Sequence, residues 1–354
     1  MLLEENKTLA PFTTFGIGGP ARWFVAAESE EDVQQAAAWA GDHGVALFVL
    51  GGGSNLLVSD EGFDGLVLHV RLRGVTQSEQ DGFILFSAAA GEDWDRFVEQ
   101  TVQANCAGLE CLAGIPGTVG GTPVQNVGAY GQDVASALSR VRTFDLLQHA
   151  FVEFSAAECG FAYRRSRFNA EERGRYVVTR VDYRLTPGGA PTLSYADLQR
   201  AFSSGAAATL PEVARAVRRI RHAKGMLLVA GDLDCCSAGS FFKNPVVSHE
   251  QLRAIAEASG EQPPHFPAGP EPEYAGMVKL PAAWLIEHAG FAKGSARGAA
   301  GISSRHTLAL INRGGAMATE ILALAAEIRE AVRARFQILL EMEPVLLGFR
   351  DAPV

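Results

Sequence analysis

Two glycine runs carry the clearest chemical suggestion in this chain of 354 residues. The first, Gly51-Gly52-Gly53-Ser54-Asn55, follows directly on the apolar run VALFVL (45–50). The second, GIPGTVGGTPVQNVGAYGQD (114–133), holds six glycines and two prolines. Successive backbone N–H groups in such runs point together at anionic oxygens, so phosphate binding is the chemistry they suggest. The specific phosphate loops do not fit. A Rossmann fingerprint opens a helix with G-x-G-x-x-G, whereas Leu56 follows here and LLV (56–58) reads as a strand. A Walker loop needs Gly-Lys-Ser/Thr, and neither run contains a lysine. Taken singly, each run reads equally well as a tight turn. Taken together they say more, because ordinary connections run to about 4–6 residues and a longer aperiodic segment is functional or disordered. The scattered Ile115, Val119, Val124, Val127 and Tyr130 argue against disorder. Two ordered glycine-rich loops on neighbouring α/β units suggest a dinucleotide held between them, with glycine where a side chain would obstruct it.

The elements that must position these loops are legible in outline. RWFVAA (22–27) reads as a strand, and Ser29 then caps a helix to about residue 42, with Asp32 completing the cap. Val33, Ala36, Ala37 and Ala40 share one face of that helix. VALFVL, LLV and LVLHV (66–70) are further strands, so the first seventy residues form a small α/β unit. Residues 83–90, a helix near 93–106, and strands near 140–146, 151–155 and 176–185 make a second mixed unit. A basic helix (211–223) and a loop from Gly225 to Ala238 lead into a third. That unit has a strand and turn in SFFKNPVVS, a helix in PAAWLIEHAG and a strand in TLALIN. Its last helix spans roughly 317–337, with Ile321, Leu324, Ile328, Val332 and Phe336 at helical spacing. PVLLG (344–348) is a final strand, expected to return to the second unit.

Composition narrows the function classes. With 47% hydrophobic and 20% charged residues, the chain is globular and long enough for two or three domains. Its net charge of −9 argues against a general nucleic-acid binder, while leaving room for local positive sites. No signal-peptide layout opens the chain and no run of about 18 apolar residues spans a membrane, so neither secretion nor a membrane partner is expected. Cys106, Cys111, Cys159, Cys235 and Cys236 lack zinc-type pairing, which suggests reduced thiols in a cytoplasmic protein and no metal.

Seven blocks then match one family in order. They are NKTLAPFTTFGIGG (6–19), LGGGSNLLVSD (50–60), AGIPGTVGGTPVQNVGAYG (113–131), FAYRRSRF (161–168), SAGSFFKNPVV (237–247), KLPAAWLIEHAGFAKG (279–294) and LEMEPVLLG (340–348). On these the chain resembles the UDP-N-acetylenolpyruvoylglucosamine reductase family, flavoenzymes making UDP-N-acetylmuramate for peptidoglycan. LSYADL (193–198) looks like the type I branch, whose extra loop carries a substrate-contacting tyrosine. The resemblance implies an α+β fold: a two-domain FAD-binding fold of the vanillyl-alcohol-oxidase type plus a third α/β substrate-binding domain. The implied boundaries are 1–72, then 73–210 completed by 339–354, then 211–338. FAD would be held by Gly51, Gly52, Gly53, Ser54, Asn55, Ile115, Pro116, Gly117, Gly120 and Gly121. Non-covalent FAD is expected because the nearest histidines, His43 and His69, lie outside the first glycine loop. NADPH is the implied reductant, and no obligate protein partner is evident.

The implied reaction reduces an enol-ether double bond conjugated to a carboxylate. Negative charge builds as an enolate, which needs fixed positive or hydrogen-bonding groups and then a proton donor. By resemblance, Arg164 meets the developing enolate, Glu343 is the second stabilising residue, and Ser240 gives the proton. Arg164 supplies a planar, permanently charged fork, while its neighbours Arg165 and Arg167 read as surface arginines. Glu343 helps only if protonated or hydrogen-bonding through a partner, and Glu341 is the rival should the register slip. Tyr163, Tyr195, Lys224 and Asn244 match substrate-binding positions, Tyr195 and Lys224 reaching the diphosphate. The Gly225–Ser237 loop departs from the commonest family version in carrying Cys235-Cys236. His288 and His306 read as packing residues. The alternatives are a flavin oxidase or dehydrogenase of the same superfamily acting on another substrate, and a non-enzymatic nucleotide-sugar or flavin binder.

Overall fold

The computed structural model describes residues 1–202, 207–268 and 274–349. The chain packs as two compact units, each discontinuous in sequence. The first comprises Met1–Lys7, Ala21–Gly53 and Asp64–His222; the second comprises Thr8–Pro20, Ser54–Phe63 and the chain from Ala223.

In the first unit, one sheet runs in the order Glu4–Thr8, Pro20–Ala27, Phe63–Val70, Leu47–Leu50. The last two strands are parallel, with Leu47 opposite Leu66, so residues 51–62 between them must cross back over the sheet, while helix α1 (Glu30–Asp42) links Pro20–Ala27 to Leu47–Leu50. The expected capping box is present: Asp32 N–H donates to Ser29 Oγ at 3.1 Å and Ser29 N–H to Asp32 Oδ2 at 3.2 Å. Such a cap is worth about 0.5–2 kcal/mol. Val33, Ala36, Ala37 and Ala40 are the residues this helix buries.

A second, antiparallel sheet has the order Ala150–Ser155, Leu138–Asp145, Tyr176–Pro187, Phe83–Ala89, Val75–Gln80. Helix α2 (Trp94–Gln103) buries Trp94, Phe97, Val98 and Val102. Trp94 and Phe97 meet Tyr183 of the long central strand at ring-centroid distances of 5.8 and 5.2 Å. Burying side chains of this size contributes about 1.5–3 kcal/mol each. Helices α3 (Ala196–Ala201) and α4 (Leu210–Ala223) complete the unit. The sequence reading opens a third block with α4, yet Leu210, Val213, Ala214, Ala216 and Val217 bury in the first unit's core.

The second unit has a three-stranded sheet (Val246–Ser248, Met277–Lys279, Phe266–Pro267) and a three-stranded meander (Ala296–Arg297, Ala300–Ile302, Leu310–Asn312). Around them lie helices α5 (His249–Ser259), α6 (Ala282–His288) and α7 (Ala318–Phe336). Ile321, Leu324, Ile328, Val332 and Phe336 of α7 are all buried, as their spacing requires. The final strand, Val345–Leu347, pairs in parallel with Leu56–Val58. It therefore joins a segment of the first seventy residues and not the second block, because the apolar LLV run offers it a buried edge.

Candidate active site

The parallel strand Leu47–Leu50 delivers Gly51–Gly53 at its carboxyl end, where ligands of α/β sheets gather. The second glycine loop lies against it within the first unit. A Cβ on Gly52 would fall 2.6 Å from Gly117 Cα, and one on Gly51 would fall 2.8 Å from Thr118 Oγ1. Glycine at 52 is thus required by the backbone of the other loop, while at 51 the neighbour is a side-chain hydroxyl, so a ligand is not the only reason for glycine here. Gly120 likewise abuts Ala90, whereas Gly121 has open space where its side chain would be. The two loops meet through backbone and the Thr118 hydroxyl, with no charged side chain at the closest approach, a surface on which an anionic dinucleotide could lie. Ser54 and Asn55 belong to the second unit, where Asn55 Nδ2 donates to the Glu343 carbonyl at 3.2 Å.

The second loop is pinned from several sides. Val119 N–H donates to Glu92 O at 2.9 Å, Gly120 N–H to Ala90 O at 2.8 Å, and Thr122 Oγ1 shares a 2.6 Å hydrogen bond with the buried Tyr183 hydroxyl. Gly114 is gripped at both polar groups. Its N–H donates to Asp95 Oδ1 at 2.5 Å, and its carbonyl accepts from Arg221 Nε at 2.9 Å. Arg218 holds Asp95 in turn, its Nη2 donating to Oδ1 at 2.8 Å and its Nε to Oδ2 at 3.2 Å. Burial draws the Arg221 guanidinium below its ordinary pKa, while Tyr130 and Asp95 pull the other way. The sequence reading missed Asp95, Arg218 and Arg221. The three-residue spacing of the two arginines, which puts them on one side of α4, was the available signal.

Arg164 sits at the tip of a two-residue turn. Ala162 and Arg165 exchange backbone hydrogen bonds of 3.0 and 3.1 Å, and Arg164 adopts φ +55°. That conformation costs a non-glycine residue of order 1–3 kcal/mol and persists only where surroundings fix it. Here Asn169 Nδ2 donates to Arg164 O at 3.1 Å, Asn126 Nδ2 to Ala162 O at 3.0 Å, and Arg164 Nη1 to Gly128 O at 3.1 Å. Its guanidinium lies 5.7 Å from the Tyr163 ring centroid. Arg165 pairs with Glu171, and Arg167 with Glu172 and the Phe154 ring, so both have structural work. Tyr195 is 42% exposed at the start of α3, its ring edge-to-face with Tyr130 at 5.3 Å.

In the second unit, Ser240 follows Gly239, whose φ of +72° makes the bend. Phe241 and Phe242 are each 1% exposed and anchor the chain immediately after the serine. Segment 241–243 pairs with 341–343: Glu343 N–H donates to Phe241 O and Lys243 N–H to Glu341 O, both at 2.9 Å. The register sets Glu343 opposite Phe241, the residue after Ser240. Glu341 instead pairs with Lys243, its side chain 70% exposed. Asn244 Oδ1 accepts from Ala282 N–H at 2.9 Å and caps α6. Burial, with Lys224 and Lys293 nearby, pushes His306 down to about 4, so this imidazole is neutral beside Lys224. The loop carrying Cys235-Cys236 is tied down by Arg305 through Asp232 and Asp234.

His43 stacks on Trp39 at 4.3 Å, and His69 lies in strand Phe63–Val70. Burial pushes the Cys111 and Cys159 thiols up to about 12, which removes them as nucleophiles. Among the described residues, no group of three or more His, Cys, Asp or Glu side chains could hold a metal ion.

Residues 21–147 match the FAD binding domain family, and residues 232–347 match the C-terminal domain of UDP-N-acetylenolpyruvoylglucosamine reductase. The reductase of that name from Streptomyces coelicolor is 45% identical, over 97% of this chain and 90% of its own. That from Thermobifida fusca is 44% identical, over 97% of this chain and 98% of its own. The crystal structure of UDP-N-acetylenolpyruvylglucosamine reductase from Thermus caldophilus matches with a TM-score of 0.67 at 27% identity, over 98% of this chain and 100% of that one. With an FAD-binding domain followed by the reductase's C-terminal domain, and relatives aligned over nearly its whole length, the chain belongs to the UDP-N-acetylenolpyruvoylglucosamine reductase family.

Proposed function

We propose that this chain is an FAD- and NADPH-dependent oxidoreductase that reduces the enolpyruvyl group of UDP-N-acetylglucosamine enolpyruvate, giving UDP-N-acetylmuramate for peptidoglycan. The observation that carries this is the register placing Glu343 opposite Phe241, next to Ser240, in a chain 45% identical to a reductase of that name. When bound, FAD supplies the hydride and NADPH restores it. The chain's own groups handle charge and proton. Arg164, fixed at its turn, offers a bidentate fork to the substrate carboxylate on which enolate charge accumulates. Glu343 would be the second stabilising residue, acting through a hydrogen bond, since a bare carboxylate would repel the enolate charge. Ser240 Oγ gives its proton to the enolate carbon, so hydride and proton together saturate the double bond. The flavin would be held by Gly51, Gly52, Gly53, Ser54, Asn55, Ile115, Pro116, Gly117, Gly120 and Gly121. Tyr163, Tyr195, Lys224 and Asn244 would hold the UDP-sugar, Asn244 while also capping α6.

Among the described residues, no helix is long and apolar enough to cross a membrane. A cytoplasmic setting suits an enzyme using NADPH and a nucleotide sugar, and the five free cysteines suit a reducing compartment. The test is an assay of the purified flavoprotein with NADPH and the enolpyruvyl nucleotide, following NADPH consumption and the mass of the product. Reoxidation by oxygen alone, with no response to the nucleotide, would instead point to a flavin oxidase acting on another substrate.

A further inference from the structure

Glu110 is a carboxylate with 0% exposure at the foot of the second glycine segment. Its Oε1 accepts from Thr192 N–H and from Gln132 Nε2, each at 2.8 Å, and its Oε2 accepts from Gly108 N–H at 2.8 Å. Gln132 extends the knot: its Oε1 accepts from Cys111 N–H at 2.8 Å and its Nε2 also donates to Thr192 Oγ1 at 3.1 Å. The Cys111 thiol reaches Thr192 O at 3.3 Å. A buried carboxylate that could be exchanged for packed apolar groups adds little net stability, but its directional bonds fix one arrangement of the strands around it. What these bonds fix is the irregular stretch after Pro187, which has no ladder to define its path until α3 begins just after Tyr195. Thr192 is its anchor. Two residues further on, Ser194 lies so close to Gly131 that a Cβ there would sit 2.1 Å from Ser194 Oγ, and Gly131 has φ +86°. The next residue, Tyr195, meets Tyr130 edge-to-face at 85°.

We propose that the Glu110–Gln132–Thr192 knot positions Tyr195 for the substrate's diphosphate, making Glu110, Gln132 and Thr192 positioning residues for nucleotide-sugar binding. The proposal rests on the reading of Tyr195 as a substrate contact. It gives a reason for a buried acid at 110 and for an amide at 132 that bonds to it.

The experiment uses the flavin-loaded enzyme and three variants, Thr192→Val, Gln132→Met and Tyr195→Phe. For each, KM for the enolpyruvyl nucleotide, the rate of flavin reduction by NADPH, the flavin absorption spectrum and the thermal midpoint are measured. Tyr195→Phe and Gln132→Met are expected to raise KM on the order of tenfold, and Thr192→Val several-fold, the loss of about one well-made hydrogen bond. The flavin spectrum and the thermal midpoint should stay as in the parent, since Tyr195 is not among the residues assigned to the flavin. If Tyr195→Phe raises KM while Thr192→Val and Gln132→Met do not, the positioning role is wrong and the Tyr195 reading survives. If Tyr195→Phe leaves KM unchanged, both fail. A parallel loss of thermal midpoint, flavin reduction and substrate turnover would make the knot merely structural. Should Gln132→Met not fold, Thr192→Val, which removes a single acceptor, still decides the matter.

Discussion

Glu343 donates its backbone N–H to the carbonyl of Phe241 at 2.9 Å, one residue beyond Ser240. This register, and not any loop flexibility, assigns each C-terminal acid its environment. Glu343 is paired with Phe241, one residue after the serine, while Glu341, two residues earlier, goes to Lys243 at the surface. Glu341→Gln should therefore leave turnover within a factor of about two, as surface ion pairs contribute little. Glu343→Gln should lower substrate-driven flavin reoxidation by about 10²-fold or more, the scale of a lost oxyanion contact. Equal effects of the two changes in a stopped-flow comparison would mean that the register argument fails.

Ser240→Ala separates the two half-reactions. A general acid contributes about 10²–10⁴-fold, so reoxidation by the enolpyruvyl nucleotide should fall by that range. Flavin reduction by NADPH requires no proton from Ser240 and should remain near the parent rate. If both half-reactions fall together, Ser240 acts through the fold, because it neighbours the buried Phe241 and Phe242.

Arg164→Lys keeps the charge but loses the fork. Lysine cannot make two parallel bonds to a carboxylate, so kcat/KM for the nucleotide should drop by about 10²-fold. The turn itself should survive, since its hydrogen bonds run through the Ala162, Arg164 and Arg165 main chain. Turnover like the parent's would remove Arg164 from the enolate site.

Much of this was legible in the sequence where local physics governs. The α7 stripe and the Ser29/Asp32 cap depend only on neighbours along the chain, and both are present. Helix α5 carries an equally plain signal, Ser248 capped against Gln251, which the sequence reading passed over. Strand Val75–Gln80 gave no such signal, because only Val75 of VTQSEQ is even partly covered and an exposed edge strand needs no alternation. Long-range facts were out of reach. That Leu56–Val58 pairs with Val345–Leu347 cannot be seen from either segment alone. The glycine loops were found by composition, but their reason at Gly52 is the neighbouring Gly117. Arg221 looked like one charge in a basic helix until its Nε reached the Gly114 carbonyl.

The grip on Gly114 gives a test of the flavin loop. Asp95→Asn keeps an oxygen for the Gly114 N–H but removes the charge that holds Arg218, which leaves a half-buried guanidinium without its bidentate partner. Looser placement of the loop should weaken FAD binding by about tenfold, equivalent to roughly 1.4 kcal/mol. The check is a fluorescence titration of the apoprotein with FAD, beside the thermal midpoint of the apoprotein. Unchanged FAD affinity with a lowered midpoint would show that the Asp95–Arg218 pair supports the fold and not the flavin loop.

Stability should also fall in mild acid for a reason that can be assigned. Burial, followed by the nearby Arg71 and Arg73, pushes His69 down to about 4. In the unfolded chain its pKa is about 6.5. Above that value the imidazole is neutral in both states and costs nothing. As pH falls from about 6.5 toward 4, the unfolded state takes up the proton first, so folding stability is lost across this window. Below about 4 the native state is protonated too, and the loss levels off. A shift of this size corresponds to about 3–4 kcal/mol at most, less whatever solvent screens at a half-buried site. His306, which is also pushed down to about 4, should add a similar loss in the second unit. Urea unfolding at pH 7.5 and at pH 5 reads the effect directly. His69→Gln, which cannot titrate, should narrow the difference between the two conditions relative to the parent. If the variant loses as much stability at pH 5 as the parent, then His69 is not the group whose protonation opposes folding.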